Sequence, residues 1–370
     1  MINAPPVPAG QALALLKAGW QAQQTGRITA SWMLHGRPGI GKTEIVQTLA
    51  HDIGARLHDL RLTTIEPQDL RGLPFFDMEA RRTVWFRPED LPDDPAQPSV
   101  LFLDELTAAP PALQPTVYGL LQERRVGPHQ LPDSCMVIAA GNSIEDGAVA
   151  YEMGTALSDR LIHLQVSAQA DDWLAGYAVP QGLHPAVIAF IRTRPDLLDT
   201  VEESLRRGEV IACTPRSWAR VSGLMGALGD RQLRRIAING VLGEAVAAEF
   251  LLIAEEIAAT VQLDALLESA GKDRLALYPA SMHGMTALAY ALINRADADR
   301  LPAIIEIMAE LRGLGAARGA PFDAMPLAEL GTHGFELLIR KALDAGWQEA
   351  FLTSPAYAAY ASERGAAGLD

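Results

Sequence analysis

Five short segments in the first half of the chain have the pattern of buried parallel strands. Most are apolar runs without the alternation of a half-exposed strand, and segments with helical spacing of apolar residues separate them. Strands that alternate with helices form parallel sheets, so we expect a five-stranded parallel sheet between helices, an α/β fold. The predicted strands are 31–35, 56–62, 99–105, 136–140 and 161–166.

The segments between these strands predict further elements. Two apolar runs around a polar stretch indicate a hairpin at 75–86, and 126–134 is either a second hairpin or a loop. Helices are expected at 11–23 and 149–160. A third helix at 111–124 contains Pro115, which predicts a kink because proline removes a helical hydrogen bond.

Beyond Ser167 the strand pattern stops, and helical spacing continues through sequence rich in Ala, Leu and Glu. The most apolar stretch, 241–261, contains four glutamates and is predicted as a buried helix, not a membrane span. We expect an α/β core at 1–167, a helical domain at 168–262 and a helical C-terminal extension at 263–370. The main predicted helices after Ser167 are 171–177, 185–192, 215–228, 231–261, 282–294, 301–314 and 332–345.

Residues 36–43, Gly-Arg-Pro-Gly-Ile-Gly-Lys-Thr, match the phosphate-binding pattern G-x-x-x-x-G-K-[ST], and we call them the P-loop. Glycines let backbone N–H groups approach a phosphate, and the helix that follows directs its positive end at the same anion. The pattern predicts ATP with Mg²⁺, with Lys42 at the β- and γ-phosphates and Thr43 on the metal. The predicted nucleotide-binding residues are Gly36, Pro38, Gly39, Ile40, Gly41, Lys42, Thr43, Glu44 and Asp104.

Two acids and an amide complete the predicted chemistry. The apolar run 101–103 ends in Asp104 and Glu105, which fits one carboxylate for Mg²⁺ and one that polarises the attacking water. Asn142, at the end of another predicted strand, is placed to orient that water against the γ-phosphate. An asparagine before serine is also an ordinary turn residue, so both interpretations of Asn142 stand at this point.

Composition narrows the class of protein. The chain has 370 residues, 49% of them hydrophobic, and a net charge of −14, which argues against a broad grip on nucleic acid or an anionic membrane. Two separated cysteines and no basic, apolar leader favour a reducing, cytoplasmic location. The eight histidines show no ligand spacing, so no metal site made of protein side chains alone is predicted.

Five motifs in order resemble the MoxR-like branch of the AAA+ ATPases, near the dynein-related group. They are 36–43, 101–105, 121–124, 138–142 and 157–161, and the resemblance extends over about residues 30–225. It implies an AAA+ core followed by an all-α lid. It also implies that the hairpin at 75–86 is the helix 2 insert of this branch and that 126–136 is its pre-sensor 1 hairpin.

The same resemblance assigns further roles. Asn142 matches sensor 1, Arg160 matches the arginine finger that reaches a neighbouring subunit's γ-phosphate, and Arg216 in 214–218 matches sensor 2. It implies a ring of subunits, commonly a hexamer, a von Willebrand A-type partner protein, and a role in maturing or activating a target. Helical sequence continues far beyond Arg216, where this branch usually ends, so partner and target stay open.

Plainer interpretations of these arginines remain. In place of the arginine finger role, Arg160 pairs with Asp159 or caps a helix end. In place of the sensor 2 role, Arg216 is an ordinary residue at the start of a helix, beside Pro215. Whether Arg216 acts on its own or a neighbour's nucleotide is open. Arg124 and Arg125 either contact the next subunit or form a solvated helix end that favours cations.

Two other functions fit the same core. One is a nucleic-acid motor of the restriction-translocase kind, against which the charge of −14 argues. The other is a nucleotide switch that does not hydrolyse, against which Glu105 and Asn142 argue.

Overall fold

The computed structural model describes residues 3–142 and 158–366. It contains two compact units. The first unit comprises Met1–Asp172, Asp199–Val210 and Thr214–Arg216, and the second unit comprises Trp173–Leu198, Ile211–Cys213 and Ser217–Asp370.

A six-stranded parallel sheet forms the centre of the first unit, in the order β1-β10-β2-β9-β6-β3. All five predicted strands are confirmed. The sixth, β1, pairs with β10 and was not predicted, because its two prolines resemble a loop; at a sheet edge they need not donate to a neighbouring strand. The strands are β1 Pro6–Pro8, β2 Ser31–His35, β3 Arg56–Arg61, β6 Ser99–Asp104, β9 Cys135–Gly141 and β10 Leu161–Ser167.

The central strands are buried on both faces. In β6, Leu101 and Leu103 belong to one hydrophobic cluster, and Val100 and Phe102 belong to another on the opposite face. Helices cover both faces, so each successive residue of such a strand meets apolar surroundings. This explains why these strands have no alternation of polar and apolar residues in the sequence.

Helices and hairpins connect the strands. The hairpin predicted at 75–86 is confirmed, the segment 126–134, left open between hairpin and loop, begins in a short hairpin, and the helix expected at 111–124 begins only at Gln114. Pro115 therefore lies in the first turn of α4, where it has no helical hydrogen bond to break, and the predicted kink is wrong. The elements are α1 Ala9–Gln24, α2 Lys42–Asp52, α3 Pro67–Arg71, α4 Gln114–Glu123, the hairpin β4 Pro74–Asp77 with β5 Arg82–Trp85, and the hairpin β7 Arg125–Val126 with β8 His129–Gln130. The predicted helix 149–160 falls mostly on residues 143–157, outside the described residues.

The second unit is helical, as predicted, around an aromatic core in which Phe190, Trp218 and Phe250 touch one another. The single helix predicted at 231–261 is two helices, broken at Gly243, whose φ of 80° leaves the helical region. The helices after β10 are Ala170–Trp173, Pro185–Thr193, Val201–Arg207, Pro215–Ala227, Arg231–Leu242, Glu244–Thr260, Leu263–Glu268, Gly271–Ala276, Met282–Arg295, Leu301–Glu310, Leu314–Arg318, Leu327–Ala345, Glu349–Leu352 and Pro355–Ala366.

The predicted domains differ from the two units in two respects. Asp199–Val210 and Thr214–Arg216, from the predicted domain 168–262, belong to the first unit. Met282–Arg295 packs against Pro185–Thr193, so parts of both 168–262 and 263–370 share the second unit. The functional division into lid and extension stays a prediction. Across 3–142 and 158–366, no helix combines the length and the apolar character needed to cross a bilayer.

Candidate active site

The P-loop joins β2 to α2 at the carboxyl edge of the sheet, where the predicted site lies. Gly36, Gly39 and Gly41 have φ angles of 154°, 83° and 103°, in the region that side chains disfavour. At Gly36, an added Cβ would lie 2.8 Å from the Val166 carbonyl oxygen, so the backbone approach also requires glycine. Ile40 anchors the loop in the core, and the exposed Glu44 lies in the first turn of α2. The first-turn N–H groups of α2 thus face a loop shaped for an anion.

Lys42 is 9% exposed and joins the P-loop to a second strand. Its ammonium donates to the carbonyls of Gly36 at 2.6 Å and Arg37 at 3.0 Å, and to Oδ1 of Asn142 at 2.8 Å. These three bonds use all of its donors. The amide of Asn142 therefore lies at the P-loop, where the sequence predicted it, and the ordinary-turn interpretation does not account for this contact.

Thr107 bonds to the backbone of Asn142. The Thr107 hydroxyl donates to the Asn142 carbonyl at 2.9 Å and accepts from its backbone N–H at 3.0 Å. Sequence reasoning missed Thr107. The available signal was its place just after the acids of β6, since β6 and β9 are neighbours.

Asp104 and Glu105 point in different directions at the end of β6. Asp104 is 8% exposed, and its Oδ1 accepts the backbone N–H of Glu105 at 2.9 Å. Glu105 has left-handed dihedrals, φ 60° and ψ 34°, which turn its side chain away from that of Asp104. Such a conformation costs roughly 1–2 kcal/mol in a non-glycine residue and is typical of functional positions.

The Glu105 carboxylate is held by the end of β3. It accepts a short hydrogen bond from the Thr63 hydroxyl, and the Arg61 guanidinium lies 3.7 Å from its other oxygen. Both partners follow from the pairing of β3 with β6, which places Arg61 opposite Asp104. No local pattern in the sequence pointed to them.

The residues near Asp104 suit a divalent cation bound together with phosphate. Burial, and then the charge of Asp104, raise the pKa of the nearby Asp59. Mg²⁺ takes oxygen ligands and is usually held by one or two protein groups plus phosphate oxygens and water. The Thr43 hydroxyl and the Asp104 carboxylate are ligands of this kind. Among the described residues, no cluster of three or more His, Cys, Asp or Glu could hold a metal without such help.

Two arginines lie at the P-loop itself. The Arg216 N–H donates to the Gly39 carbonyl at 3.2 Å, and its side chain is exposed. The Arg37 side chain pairs with Glu202 at 3.0 Å and with Asp199 at 3.4 Å. Arg216 was predicted here, whereas the pairing of Arg37 with a later helix was not.

Arg160 lies at the opposite edge of the sheet. It precedes Leu161, which pairs with Ser31, the first residue of β2, whereas the P-loop follows His35, the last. At about 3.3 Å per residue, the two edges are about 13 Å apart. Arg160 is exposed, and its Nη1 donates to Oε1 of Gln122 in α4 at 2.8 Å. The structure thus does not bring Arg160 together with Lys42, Asp104 and Asn142.

Arg124 departs from both predicted roles. It is buried, and its Nη2 donates to the carbonyls of Pro132 and Cys135, so it holds the segment before β9 and is not a solvated helix end. Arg125 is exposed and bonds the Gly127 carbonyl within its own hairpin.

The buried His35 and the half-buried His163 form a pair beside the P-loop. His35 Nε2 and His163 Nδ1 are 2.7 Å apart, and the rings stack. Burial, followed by His163 and Lys42, lowers the pKa of His35 to about 4, so this ring is neutral at pH 7. Sequence reasoning missed the pair, since the two residues are far apart in the chain.

Comparisons with known proteins give a family match over part of the first unit. Residues 31–163 match the family model described as "ATPase family associated with various cellular activities (AAA)". The "ATPase family gene 2 protein homolog B" of Bos taurus and that of Mus musculus are each 34% identical over 115 residues, 31% of this chain. The chain spans only 12% and 13% of those two relatives.

Solved structures give weaker similarity. A putative ATPase from Cytophaga hutchinsonii is 17% identical, with 86% of this chain and 79% of that chain covered and a TM-score of 0.33. The RuvB Holliday junction branch migration motor of Thermotoga maritima is 16% identical, with 90% and 86% covered and a TM-score of 0.30. Such low scores carry no functional assignment. The family match extends over residues 31–163, which contain the P-loop and Asp104, Glu105 and Asn142.

Proposed function

We propose that this protein is a MoxR-type AAA+ ATPase that hydrolyses ATP with Mg²⁺ and uses the energy to remodel, mature or activate a partner protein. The observation that carries the proposal is the contact of Lys42 with Asn142 at the P-loop, next to Asp104 and Glu105. Phosphoryl transfer needs positioning and charge neutralisation, and these four side chains have the charges and places for both.

Each residue has a definite task in this proposal. Lys42 exchanges its two carbonyl contacts for phosphate oxygens, and Asn142 orients the attacking water. Glu105 accepts that water's proton once its carboxylate leaves Thr63 and Arg61. Thr43 and Asp104 hold Mg²⁺, which, when bound, neutralises charge on the β- and γ-phosphates.

The position of Arg160 supports a site shared between subunits. A side chain at the edge opposite the P-loop does not reach its own γ-phosphate, but an exposed one is available to a neighbouring copy. We therefore propose a ring, with a hexamer as the expected size, in which Arg160 acts in trans. The contact of Arg216 with Gly39 favours action of Arg216 on its own subunit's nucleotide.

The partner is proposed to be a protein of the von Willebrand A type, as the resemblance to the MoxR branch implies. The hairpin β4–β5 supports protein binding in general, because Leu73, Phe75 and Phe86 are exposed on it. Clustered exposed apolar side chains are typical of protein contacts. The net charge of −14 argues against nucleic acid.

Phosphate release and nucleotide binding test the proposal together. Wild type should hydrolyse ATP only with Mg²⁺. Glu105→Gln should bind a fluorescent ATP analogue normally but turn over about 10²- to 10³-fold more slowly. Lys42→Ala should lose binding. Unchanged ATP affinity in Lys42→Ala, or normal turnover in Glu105→Gln, would overturn the assignment. A salt-sensitive stimulation by DNA would instead favour the nucleic-acid motor.

A further inference from the structure

We propose that His35 and His163 are positioning residues that couple the P-loop of a subunit to the Arg160 which the same subunit offers to its neighbour. The inference rests on the proposed function, since it assumes that Arg160 acts in trans. The inference is based on a continuous line of hydrogen bonds that runs from the P-loop edge of the sheet to the Arg160 edge.

The line has two bonds. His35 Nε2 lies 2.7 Å from His163 Nδ1, and His163 Nε2 lies 2.9 Å from the Ser158 carbonyl oxygen. His163 pairs with Met33, two residues before His35 on the adjacent parallel strand. Residues i and i+2 of a strand have their side chains on the same face of the sheet, so Met33, His35 and His163 share one face. The His163 ring contacts His35 with one nitrogen and the Ser158 carbonyl with the other.

The observed ring orientation satisfies both contacts of His163. A carbonyl oxygen only accepts, so His163 Nε2 carries a proton and donates to Ser158. At the 2.7 Å contact between His163 Nδ1 and His35 Nε2, one nitrogen donates and the other accepts. Rotation of the His163 ring would break both hydrogen bonds.

Both ends of the line adjoin the proposed machinery. His35 directly precedes Gly36, and the Gly36 carbonyl accepts the 2.6 Å bond from Lys42. Ser158 lies two residues before Arg160. When Lys42 turns to a phosphate, the Gly36 carbonyl loses that donor, and the change falls on the residue that directly follows His35, the partner of His163. Occupancy of a subunit's own site is thereby transmitted to the loop that carries Arg160.

Two substitutions separate the two bonds. The amide of His163→Asn reaches the position of Nδ1, so it can accept from His35 but cannot reach Ser158. The longer amide of His163→Gln reaches the position of Nε2, so it can bond Ser158 but loses His35. The matched control is His51→Asn, on the exposed surface of α2. Thermal unfolding checks that all three fold.

For both His163 variants we expect kcat to fall roughly 3- to 30-fold while the affinity for ATP is unchanged, as coupling contacts of this kind allow. The control should match wild type. Mixed rings decide where the defect lies. Glu105→Gln subunits bind nucleotide, turn it over slowly and keep an intact His163 and Arg160, so mixing them with His163→Asn subunits should restore turnover to the His163→Asn sites.

The outcomes are distinct. Wild-type kcat in both His163 variants, or loss of turnover that Glu105→Gln subunits do not rescue, would overturn the inference while leaving the ATPase assignment intact. If Arg160→Ala itself keeps full activity, the shared-site proposal fails, and the coupling fails with it.

Discussion

The two edges of the central sheet differ in the polar contacts that join distant segments. At the carboxyl edge, side chains bond to each other, as Lys42 does with Asn142 and Thr63 with Glu105, and Lys42 and Thr107 also bond to backbone groups. At the amino edge, the buried Ser31 and Arg124 bond to backbone carbonyls, and the exposed Arg160 bonds to the Gln122 side chain.

This difference indicates which edge of the sheet can respond to a bound ligand. Away from the P-loop no phosphate can replace a backbone carbonyl, so the bonds of Ser31 and Arg124 to such carbonyls stabilise one structure. A bond between two side chains can be exchanged for a phosphate at little cost, because both groups can rotate. We therefore expect changes at the carboxyl edge to alter turnover and changes at the amino edge to alter stability. Arg160, exposed at the amino edge, is the exception.

The largest expected effect comes from Arg160. Arg160→Ala should lower kcat by about 10³-fold, equivalent to about 4 kcal/mol of transition-state stabilisation, since arginine fingers contribute this much or more. Steady-state phosphate release measures it. Mixing with Lys42→Ala subunits should restore part of the activity, and a defect that persists in assembled mixed rings would contradict action in trans.

The next effect is a pH dependence of stability from His35. Its folded-state pKa of about 4 lies below the ordinary 6.5, because burial disfavours the charged ring. A depressed pKa gives stability that is full above pH 6.5 and falls as pH drops toward 4. At pH 5 the loss should be about 2 kcal/mol.

Urea unfolding at pH 7.5 and pH 5 measures this loss. His35→Gln, which does not titrate, is the control and should lose less over the same interval. Equal losses in the two proteins would show that other groups dominate the pH response.

A smaller effect should come from the hydroxyl that holds Asn142. Thr107→Val keeps the shape of the side chain and removes both hydrogen bonds to Asn142. We expect kcat to fall about 10-fold because the water-orienting amide is less well placed. Kinetics at saturating ATP measure it, and unchanged kcat would remove Thr107 from the site.

The smallest effect should come from the corresponding hydroxyl at the amino edge. Ser31→Ala removes the 2.7 Å bond to the buried Leu121 carbonyl and should lower the free energy of unfolding by about 1 kcal/mol. Its kcat should equal that of wild type. If Ser31→Ala slowed turnover as much as Thr107→Val does, the contrast between the edges would be wrong.

Much of the fold could be predicted because its determinants are local. Apolar runs specify strands buried on both faces, and the dihedral requirements of Gly36, Gly39 and Gly41 specify the P-loop. The predictions were wrong where a proline is compatible with two local structures. Pro115 resembled a kink but lies in a first turn, and the prolines of β1 resembled a loop but lie in an edge strand.

The sequence by itself thus determined the P-loop, the acids at the end of β6 and the alternation that makes the sheet parallel. It left the partners of those residues undetermined. The contacts of Lys42 with Asn142, of Glu105 with Thr63 and of His35 with His163 depend on which strands are neighbours and in what register. Only the tertiary structure decides strand order, because residues about 40 to 130 positions apart meet only after the whole sheet has formed.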